Sequence, residues 1–487
     1  MAVSATTRAS LDFALEPFIG TLDFAWRMPK LFNQLAGNIV IERVDPEMTG
    51  AGKRKHMEWP IEFTAPFSIA AGGGITTDES ESGTSGVLYP KIISAIAEID
   101  PSLENTESGV KGMVKEAERK IMNIQNAQLP AVGMHHWWLD GSGRRARAYT
   151  CEDSGVNSRI VVKPMWAQDA WPGAADAIKY LVGGMKIDLG TADETAATGA
   201  GSHTRSAWTE LRIVSIHRGT TIYNGADPCY IDVYPQITED LGQENPEDYY
   251  IYITHPLGTL DGEPQGCARW IGNGYNARTS AQASGVDAAH APFGWRKYAG
   301  IDRADVTYEK FIGYVANMAK AVPTNDITLT DAEVQAWLGE FYARAPSGTD
   351  LDVFVANTFL RPRFNTAFAA QGTLYLDNNP IRKLGWEGAT VYDPFGANGG
   401  RWKPLYFVDD AWRQSIWGFS WKNTDGMSLF YQAVTQKFDF TQGTVSKYWT
   451  DLRPITKERI LRAVGEQEGF LINLRPAAST AMFNVTE

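Results

Sequence analysis

The sequence predicts an α+β fold in which an extended two-stranded hairpin leads into a long amphipathic helix, followed by a chain rich in strands. Between residues 55 and 99, two segments of apolar and β-branched residues flank a Gly/Ser-rich acidic stretch, which is typical of paired strands with a long connection. From 100 to 128, apolar residues recur at three- and four-residue steps, the spacing of one helix face.

The predicted hairpin starts after a Gly-rich turn at 50–53. Its first strand covers 55–63 and has an apolar face formed by Met57, Trp59, Ile61 and Phe63. A polar, flexible tip covers 78–86, and the returning strand covers 87–99. A ribbon of this kind has no core of its own and is marginal in water. We therefore expect it to lie on a neighbouring molecule.

The predicted helix opens at Asp100-Pro101, an N-cap residue followed by proline at the first helical position. Its apolar stripe consists of Val110, Met113, Val114, Ala117, Ile121 and Ile124. Gly109 and Gly112 weaken the early turns, so the first part is where a bend is expected. At 1.5 Å per residue the helix spans about 40 Å, the length of a structural strut.

The rest of the chain shows weaker patterns. Residues 1–50 have no sustained period and are interrupted by prolines, which indicates an arm without its own core. Residues 166–292 have the texture of strands and loops, and 305–345 show helical spacing. Within the latter, Thr330 is predicted to cap a helix whose Val334, Trp337, Leu338 and Phe341 face inward. A buried strand is expected at 352–356 and a further strand at 416–419.

Composition excludes several classes of function. The net charge of −12 argues against direct neutralisation of phosphates, although it allows a nucleic acid to be enclosed with small cations. No apolar run approaches the roughly 20 residues of a membrane span. The first ten residues lack the apolar core of a signal peptide, so we expect the protein to stay where it is made. The three cysteines are widely spaced, which favours reduced thiols.

Motifs for catalysis or metal binding are incomplete. The Gly-Ala-Gly-Lys-Arg stretch at 50–54 lacks the upstream glycine and the following Ser/Thr of a phosphate loop. His135 and His136 are adjacent, and neighbouring side chains on a strand point to opposite faces. Asp409-Asp410 has no partner base nearby in sequence. We predict no catalytic residues, no metal and no cofactor, while a site assembled from distant residues stays open.

The order of elements resembles that of the major capsid proteins of tailed bacteriophages, which share the HK-ninety-seven-like fold. The resemblance covers most of the chain and depends on order more than on any one motif. The matching segments are Asn-Ala-Gln-Leu at 126–129, Asp-Gly-Ser-Gly at 140–143, Gly-Ile-Asp-Arg at 300–303, Asp-Val-Phe-Val-Ala-Asn at 352–357, Gly-Trp-Glu-Gly at 385–388 and Pro-Leu-Tyr-Phe-Val-Asp at 404–409.

The resemblance implies a division of the chain into functional segments. These are an N-terminal arm at 1–50, an extended loop at 51–99, a peripheral domain with the spine helix at 100–165, a β-rich insertion domain at 166–295, an axial domain at 296–428 and a return to the peripheral domain at 429–487. The extended loop would reach over a neighbouring subunit. Its implied contact residues are Lys53, Lys55, Trp59, Phe63, Asp78 and Glu79.

The implied function is that of a structural protein, not an enzyme. Copies of the chain would form pentamers and hexamers and assemble into the icosahedral head shell around double-stranded DNA, without sequence-specific binding and without a membrane. A scaffolding protein and a portal are implied partners, and a decoration protein is a further candidate. Assembly would occur in the host cytoplasm, and the final location would be the virion.

Two other classes of protein stay open at this point. The first is a shell of the same fold that stores a cargo enzyme, as encapsulins do, although those chains are usually shorter. The second is a β-rich enzyme or carbohydrate-binding protein, which the 16 tryptophans and the acidic charge suggest. The missing acid/base cluster disfavours the second class.

Overall fold

The protein is described by a computed structural model. The described residues are 42–43, 57–64, 82–88, 91–100, 109–123, 138–139, 141, 143–163, 177–191, 204–205, 208, 210–221, 225–237, 249–254, 266–267, 270, 297–298, 301–302, 313–317, 329–346, 348–362, 364, 389–396, 400–409, 411, 415–420, 430–444, 447–452 and 460–483.

The strands and helices of these segments give a mixed, sheet-rich architecture. The first strands are β1 (Glu42–Arg43), β2 (Met57–Thr64), β3 (Ser82–Leu88), β4 (Lys91–Ile99), β5 (Arg144–Ser154), β6 (Asn157–Lys163), β7 (Lys186–Thr191), β8 (Thr204–Arg205), β9 (Leu211–His217), β10 (Tyr230–Tyr234) and β11 (Tyr249–Ile253). The later strands are β12 (Lys297–Tyr298), β13 (Ile301–Asp302), β14 (Tyr314–Asn317), β15 (Val353–Ala356), β16 (Ala389–Asp393), β17 (Arg401–Phe407), β18 (Ile416–Phe419), β19 (Phe430–Phe440), β20 (Thr450–Asp451), β21 (Leu461–Asn473) and β22 (Ser479–Phe483). The helices are α1 (Gly109–Asn123) and α2 (Asp331–Arg344).

The hairpin is formed by β2 and β3, which pair antiparallel from Met57 opposite Leu88 to Thr64 opposite Ser82. The predicted flexible tip over 78–86 is wrong from residue 82, because β3 starts there. The predicted returning strand over 87–99 is divided: β3 ends at Leu88, and β4 pairs with β21 in a different sheet. Pro90 lies between the two strands in the sequence, and proline has no N–H for a ladder hydrogen bond. The predicted extended loop of 51–99 therefore contains a hairpin that ends at Leu88 and a strand of a larger sheet.

A five-stranded sheet has the order β1-β19-β21-β20, with β4 paired to β21. Helix α1 lies against β4. Its described 15 residues correspond to about 22 Å. The predicted helix start at Pro101 and the end beyond 123 lie outside the described residues.

Six strands of the seven-stranded sheet form a closed antiparallel barrel, and β8 pairs with β7 beside it. The order of the sheet is β11-β5-β6-β10-β9-β7-β8, and an additional pairing of β11 with β7 closes the barrel. The interior is filled by small and branched apolar side chains, among them Ala146, Ile160, Ile187, Ile213 and Ile251. The predicted division at residue 165 falls between β6 and β7, so one barrel contains strands from both sides of it.

The six-stranded sheet has the order β14-β22-β18-β15-β17-β16. Helix α2 packs its buried face, formed by Val334, Trp337, Leu338 and Phe341, into the same apolar core as Phe354 of β15. The expected helix, its inward residues and the strands at 352–356 and 416–419 are confirmed. The helical structure predicted within 305–345 is wrong at 314–317. These residues form β14, which pairs parallel with β22. The last strand, β22, thus belongs to this sheet, although β19 and β21 belong to the five-stranded one.

The start of α2 gives a first testable prediction. Thr330 Oγ1 accepts a hydrogen bond from the Glu333 backbone N–H at 3.3 Å, so it satisfies a donor that has no partner within the helix. We expect Thr330→Ala to lower the free energy of unfolding by about 1 kcal/mol, and Thr330→Ser to have a much smaller effect. Urea denaturation of both variants would check this. Equal destabilisation by Ala and Ser would contradict a capping role.

Neither helix in the described part of the chain has the length and apolar content that crossing a bilayer would require. Among the described residues, no three His, Cys, Asp or Glu side chains lie close enough together to hold a metal ion.

Candidate intersubunit contact site

The hairpin residues predicted to contact a neighbour are only partly described. Trp59 and Phe63 lie on β2, opposite Gly86 and Gly83 of β3. Lys53, Lys55, Asp78 and Glu79 lie outside the described residues. Among the described strands, β2 and β3 pair only with each other. Their contact with a neighbouring subunit stays a prediction.

The stripe predicted for α1 includes three fully buried side chains, Met113, Ala117 and Ile121. Because α1 lies against β4, these face the same layer as the buried Ala97 and Ile99 of that strand. Val114 is half-buried, the side chain of Val110 is not described, and Ile124 lies outside the described residues. The helix and the sheet therefore form two layers around a small apolar core.

The opposite side of β4 presents apolar groups to solvent. Ile92 is 58% exposed and Ile96 is 48% exposed. Val464 of β21 stands directly opposite Ile96, so it belongs to the same side of the sheet. We call Ile92, Ile96 and Val464 the β4 outer face. Exposed apolar groups that lie side by side on a sheet mark a contact site more often than isolated ones do.

Charged groups border the β4 outer face. Arg462 binds the carboxylate of Glu98 through two nitrogens, at 2.6 and 2.8 Å. Glu466 stands opposite Ser94 on one side and opposite Asp439 on the other. The border is therefore acidic apart from Arg462. An apolar strip with a polar rim has the composition of a protein–protein contact.

The sequence did not indicate the β4 outer face. The stretch Lys-Ile-Ile-Ser-Ala-Ile-Ala-Glu-Ile at 91–99 has isoleucines at positions that alternate to both sides of a strand. Only the position of α1 decides which side is covered.

Four ionisable side chains at the six-stranded sheet form a largely buried cluster that links several elements of the fold. Lys403 Nζ lies 2.8 Å from Asp350 Oδ1, and Tyr342 donates a hydrogen bond of 2.5 Å to Asp393 Oδ2. Burial raises the pKa of Asp393, while the bond from Tyr342 and the charge of Lys403 act in the opposite direction. Burial also raises the pKa of Tyr342 far above its usual range. The four residues join α2 to β16 and β17 and to the loop before β15.

Comparisons with solved structures find capsids. The capsid asymmetric unit of cyanophage A-1(L) matches with a TM-score of 0.37 and 10% identity, over 89% of this chain and 89% of that one. The capsid of a native GTA particle matches with a TM-score of 0.35 and 8% identity, over 93% and 90%. An encapsulin from Synechococcus elongatus matches with a TM-score of 0.21 and 11% identity, over 35% and 52%.

No protein-family model matches the chain, and no curated protein matches it. At these scores and identities the similarity does not by itself assign a function.

Proposed function

We propose that the chain is the major capsid protein of a tailed phage, with an HK-ninety-seven-like fold, and that copies of it form the shell around the phage DNA. The observation that supports this most is the connection of β3 to β4 through two residues only, 89 and 90. A ribbon without its own core thereby emerges directly from a sheet whose β4 outer face is uncovered. Each feature is unfavourable in an isolated subunit, and contact between subunits relieves both.

Contact between the ribbon of one subunit and a different surface of the next is heterologous. Heterologous contacts close into rings when the rotation between neighbours allows it, which is how pentamers and hexamers arise. Many modest contacts of this kind together give a stable shell. In this proposal Trp59, Phe63 and the other predicted loop residues face the neighbouring subunit, and α1 is the spine of the peripheral domain.

The partners follow from the same proposal. The net charge of −12 argues against sequence-specific DNA binding and still allows DNA to be enclosed together with small cations. A scaffolding protein and a portal would direct assembly in the host cytoplasm, and the virion is the final location. A decoration protein is a further candidate partner.

The proposal predicts that the β4 outer face is needed for assembly and not for folding. We expect the double variant Ile92→Asp/Ile96→Asp to keep a cooperative thermal unfolding transition, lowered modestly because position 92 stands opposite Glu468. It should form no shells, because charged groups would lie in a contact that excludes water. The parent chain and each variant would be co-expressed with the genes that flank this one and observed by electron microscopy.

The matched control is Ile92→Val/Ile96→Val, which keeps the apolar surface and should assemble. DNA protected from nuclease inside the particles would distinguish a phage head from a cargo shell. A parent chain that stays monomeric under these conditions, without rings or shells, would refute the proposal.

A further inference from the structure

Helix α1 is a basic element in an acidic chain. It has four basic and two acidic side chains, whereas the whole chain has 45 basic and 57 acidic ones. Four of the charged residues of α1 are exposed, and these are Lys111, Lys115, Glu118 and Arg119. The solvent side of α1 therefore presents three bases against one acid.

The three exposed bases form a single row, which we call the α1 basic row. Lys111, Lys115 and Arg119 follow each other at four-residue steps, so they lie on one side of the helix over about 12 Å. Arg119 binds the carboxylate of Glu116 at 2.6 Å, and no carboxylate in the described part of the chain pairs with Lys111 or Lys115. Like charges four residues apart oppose helix formation. The two lysines therefore do not serve the stability of α1 itself.

The other side of the same two layers is acidic. On the side of the sheet that α1 does not cover, Glu98 of β4 stands opposite Arg462 of β21. Glu466 of β21 stands opposite Asp439 of β19. Three acids thus accompany one base, and that base is bound by Glu98. The helix and the sheet together have a basic surface on one side and an acidic surface on the other.

Screening by salt separates the effects of these two surfaces. The Debye length is about 8 Å at physiological ionic strength. With its side chains an α-helix is about 10–12 Å across, so the two surfaces are farther apart than this length. An anion beside α1 is therefore attracted by the α1 basic row, although the net charge of the chain is −12.

We propose that the α1 basic row faces the enclosed nucleic acid and contacts phosphates of duplex DNA. The choice of DNA as the partner rests on the proposed function, in which the shell encloses a duplex. Contacts to phosphates carry no sequence information, which agrees with enclosure without sequence-specific binding. The β4 outer face, on the other side of the sheet, is then used for contact between subunits, and its acidic border is turned away from the DNA.

An acidic protein segment is the other partner that a row of bases could attract. Contacts between proteins usually centre on buried aromatic or apolar anchors. The α1 basic row consists of long basic side chains without an apolar group among them. A duplex offers one phosphate charge per roughly 1.7 Å of its axis, so several phosphates lie within reach of a row 12 Å long. These features favour DNA.

The first test measures DNA binding without assembly. The full chain with Ile92→Asp/Ile96→Asp serves as the unassembled parent, and fluorescence anisotropy measures its affinity for a short labelled duplex at several salt concentrations. We expect Lys111→Gln/Lys115→Gln to lower the affinity. The slope of log K against log salt should fall by about 1.8, because each phosphate contact contributes about 0.9. Glutamine has nearly the helix propensity of lysine, so α1 should be retained.

The matched control is Arg212→Gln/Arg218→Gln, which removes two exposed bases of the barrel and should leave the slope unchanged. A parent that does not bind the duplex even at low salt would overturn the DNA contact. So would an unchanged slope in the lysine variant or an equal reduction in the control. Polyglutamate replaces the duplex in a parallel titration. Loss of polyglutamate binding with unchanged DNA binding would assign the row to an acidic protein and also overturn the proposal.

A second measurement uses particles of the otherwise unaltered chain, in case the parent variant does not fold. A maleimide on a polymer too large to cross the shell should label Lys115→Cys only after the particles are opened. Particles without this substitution control for the three cysteines of the chain. Equal labelling of intact and opened particles would place α1 outside and overturn the proposal. Failure of the unaltered chain to form rings or shells would refute the proposed capsid function, whereas DNA binding by the unassembled parent is measured independently of it.

Discussion

Trp337→Ala is expected to lower the free energy of unfolding of the subunit by about 3–5 kcal/mol. The Trp337 side chain is completely buried, and its ring meets that of Phe354 at 5.9 Å in an edge-on arrangement. Its Nε1 donates to Thr480 Oγ1 at 2.9 Å, and Thr480 in turn donates to the backbone oxygen of Tyr314 at 2.8 Å. Truncation would create a cavity between α2 and the six-stranded sheet and would remove the donor that Thr480 accepts from.

The control Trp337→Phe keeps an aromatic ring and removes only the indole N–H and part of the volume. It should cost clearly less than the alanine variant. Urea denaturation of both variants, followed by circular dichroism, would measure these losses. A loss below about 1 kcal/mol for Trp337→Ala would mean that the surrounding side chains close the cavity, contrary to the dense packing expected here.

Lys403→Met is expected to cost about 3–5 kcal/mol near neutral pH, because removing one partner of an enclosed ion pair leaves the other charge unpaired. The Lys403 side chain is 10% exposed and that of Asp350 is 21% exposed. Without the ammonium group, Asp350 loses its partner and the pKa of Asp393 rises further, since the charge of Lys403 opposes the effect of burial. The Asp393 carboxyl group then favours the protonated form in the folded state.

The sign of the pH dependence follows from the further rise in the pKa of Asp393 in this variant. A carboxyl group whose pKa is higher in the folded state binds its proton more tightly there, so its effect on stability becomes less favourable as pH rises through the folded pKa. The deficit of Lys403→Met relative to the parent should therefore shrink as pH falls through the range in which carboxylates titrate. Adding Asp350→Asn should restore part of the loss at neutral pH. A deficit of equal size at all pH values would show that lost packing of the lysine stem causes it.

Local patterns predicted local elements well. Helix α2 was found from Thr330 and four apolar residues at helical spacing, and both its cap and its buried face agree with the sequence. The short strand β14 was not found, because four residues are too few for a period to separate a strand from a helix. Its partner β22 is far away in sequence, and no local signal shows that pairing.

The candidate contact sites show the same difference between local patterns, which the sequence reveals, and pairings of distant segments, which it does not. The first hairpin strand was predicted, but its partner β3 lies mostly within the stretch 78–86 that was expected to form a flexible tip. Exposure of Ile92 and Ile96 depends on α1 and β21, which no local pattern shows. The barrel likewise closes only through the pairing of β11 with β7. The ionisable cluster combines α2, β16 and β17, so spacing of its residues along the chain gives no sign of it.

The pairing of β4 with β21 also bears on when a newly made chain can complete its five-stranded sheet. Arg462 and Glu98, which join these two strands, are 364 residues apart. Synthesis proceeds at about 5–20 residues per second, so β4 leaves the ribosome roughly 20 seconds or more before its partner. During that interval the sheet that displays Ile92 and Ile96 is incomplete. The β4 outer face therefore exists in its complete form only after β21 has been synthesised and has paired with β4.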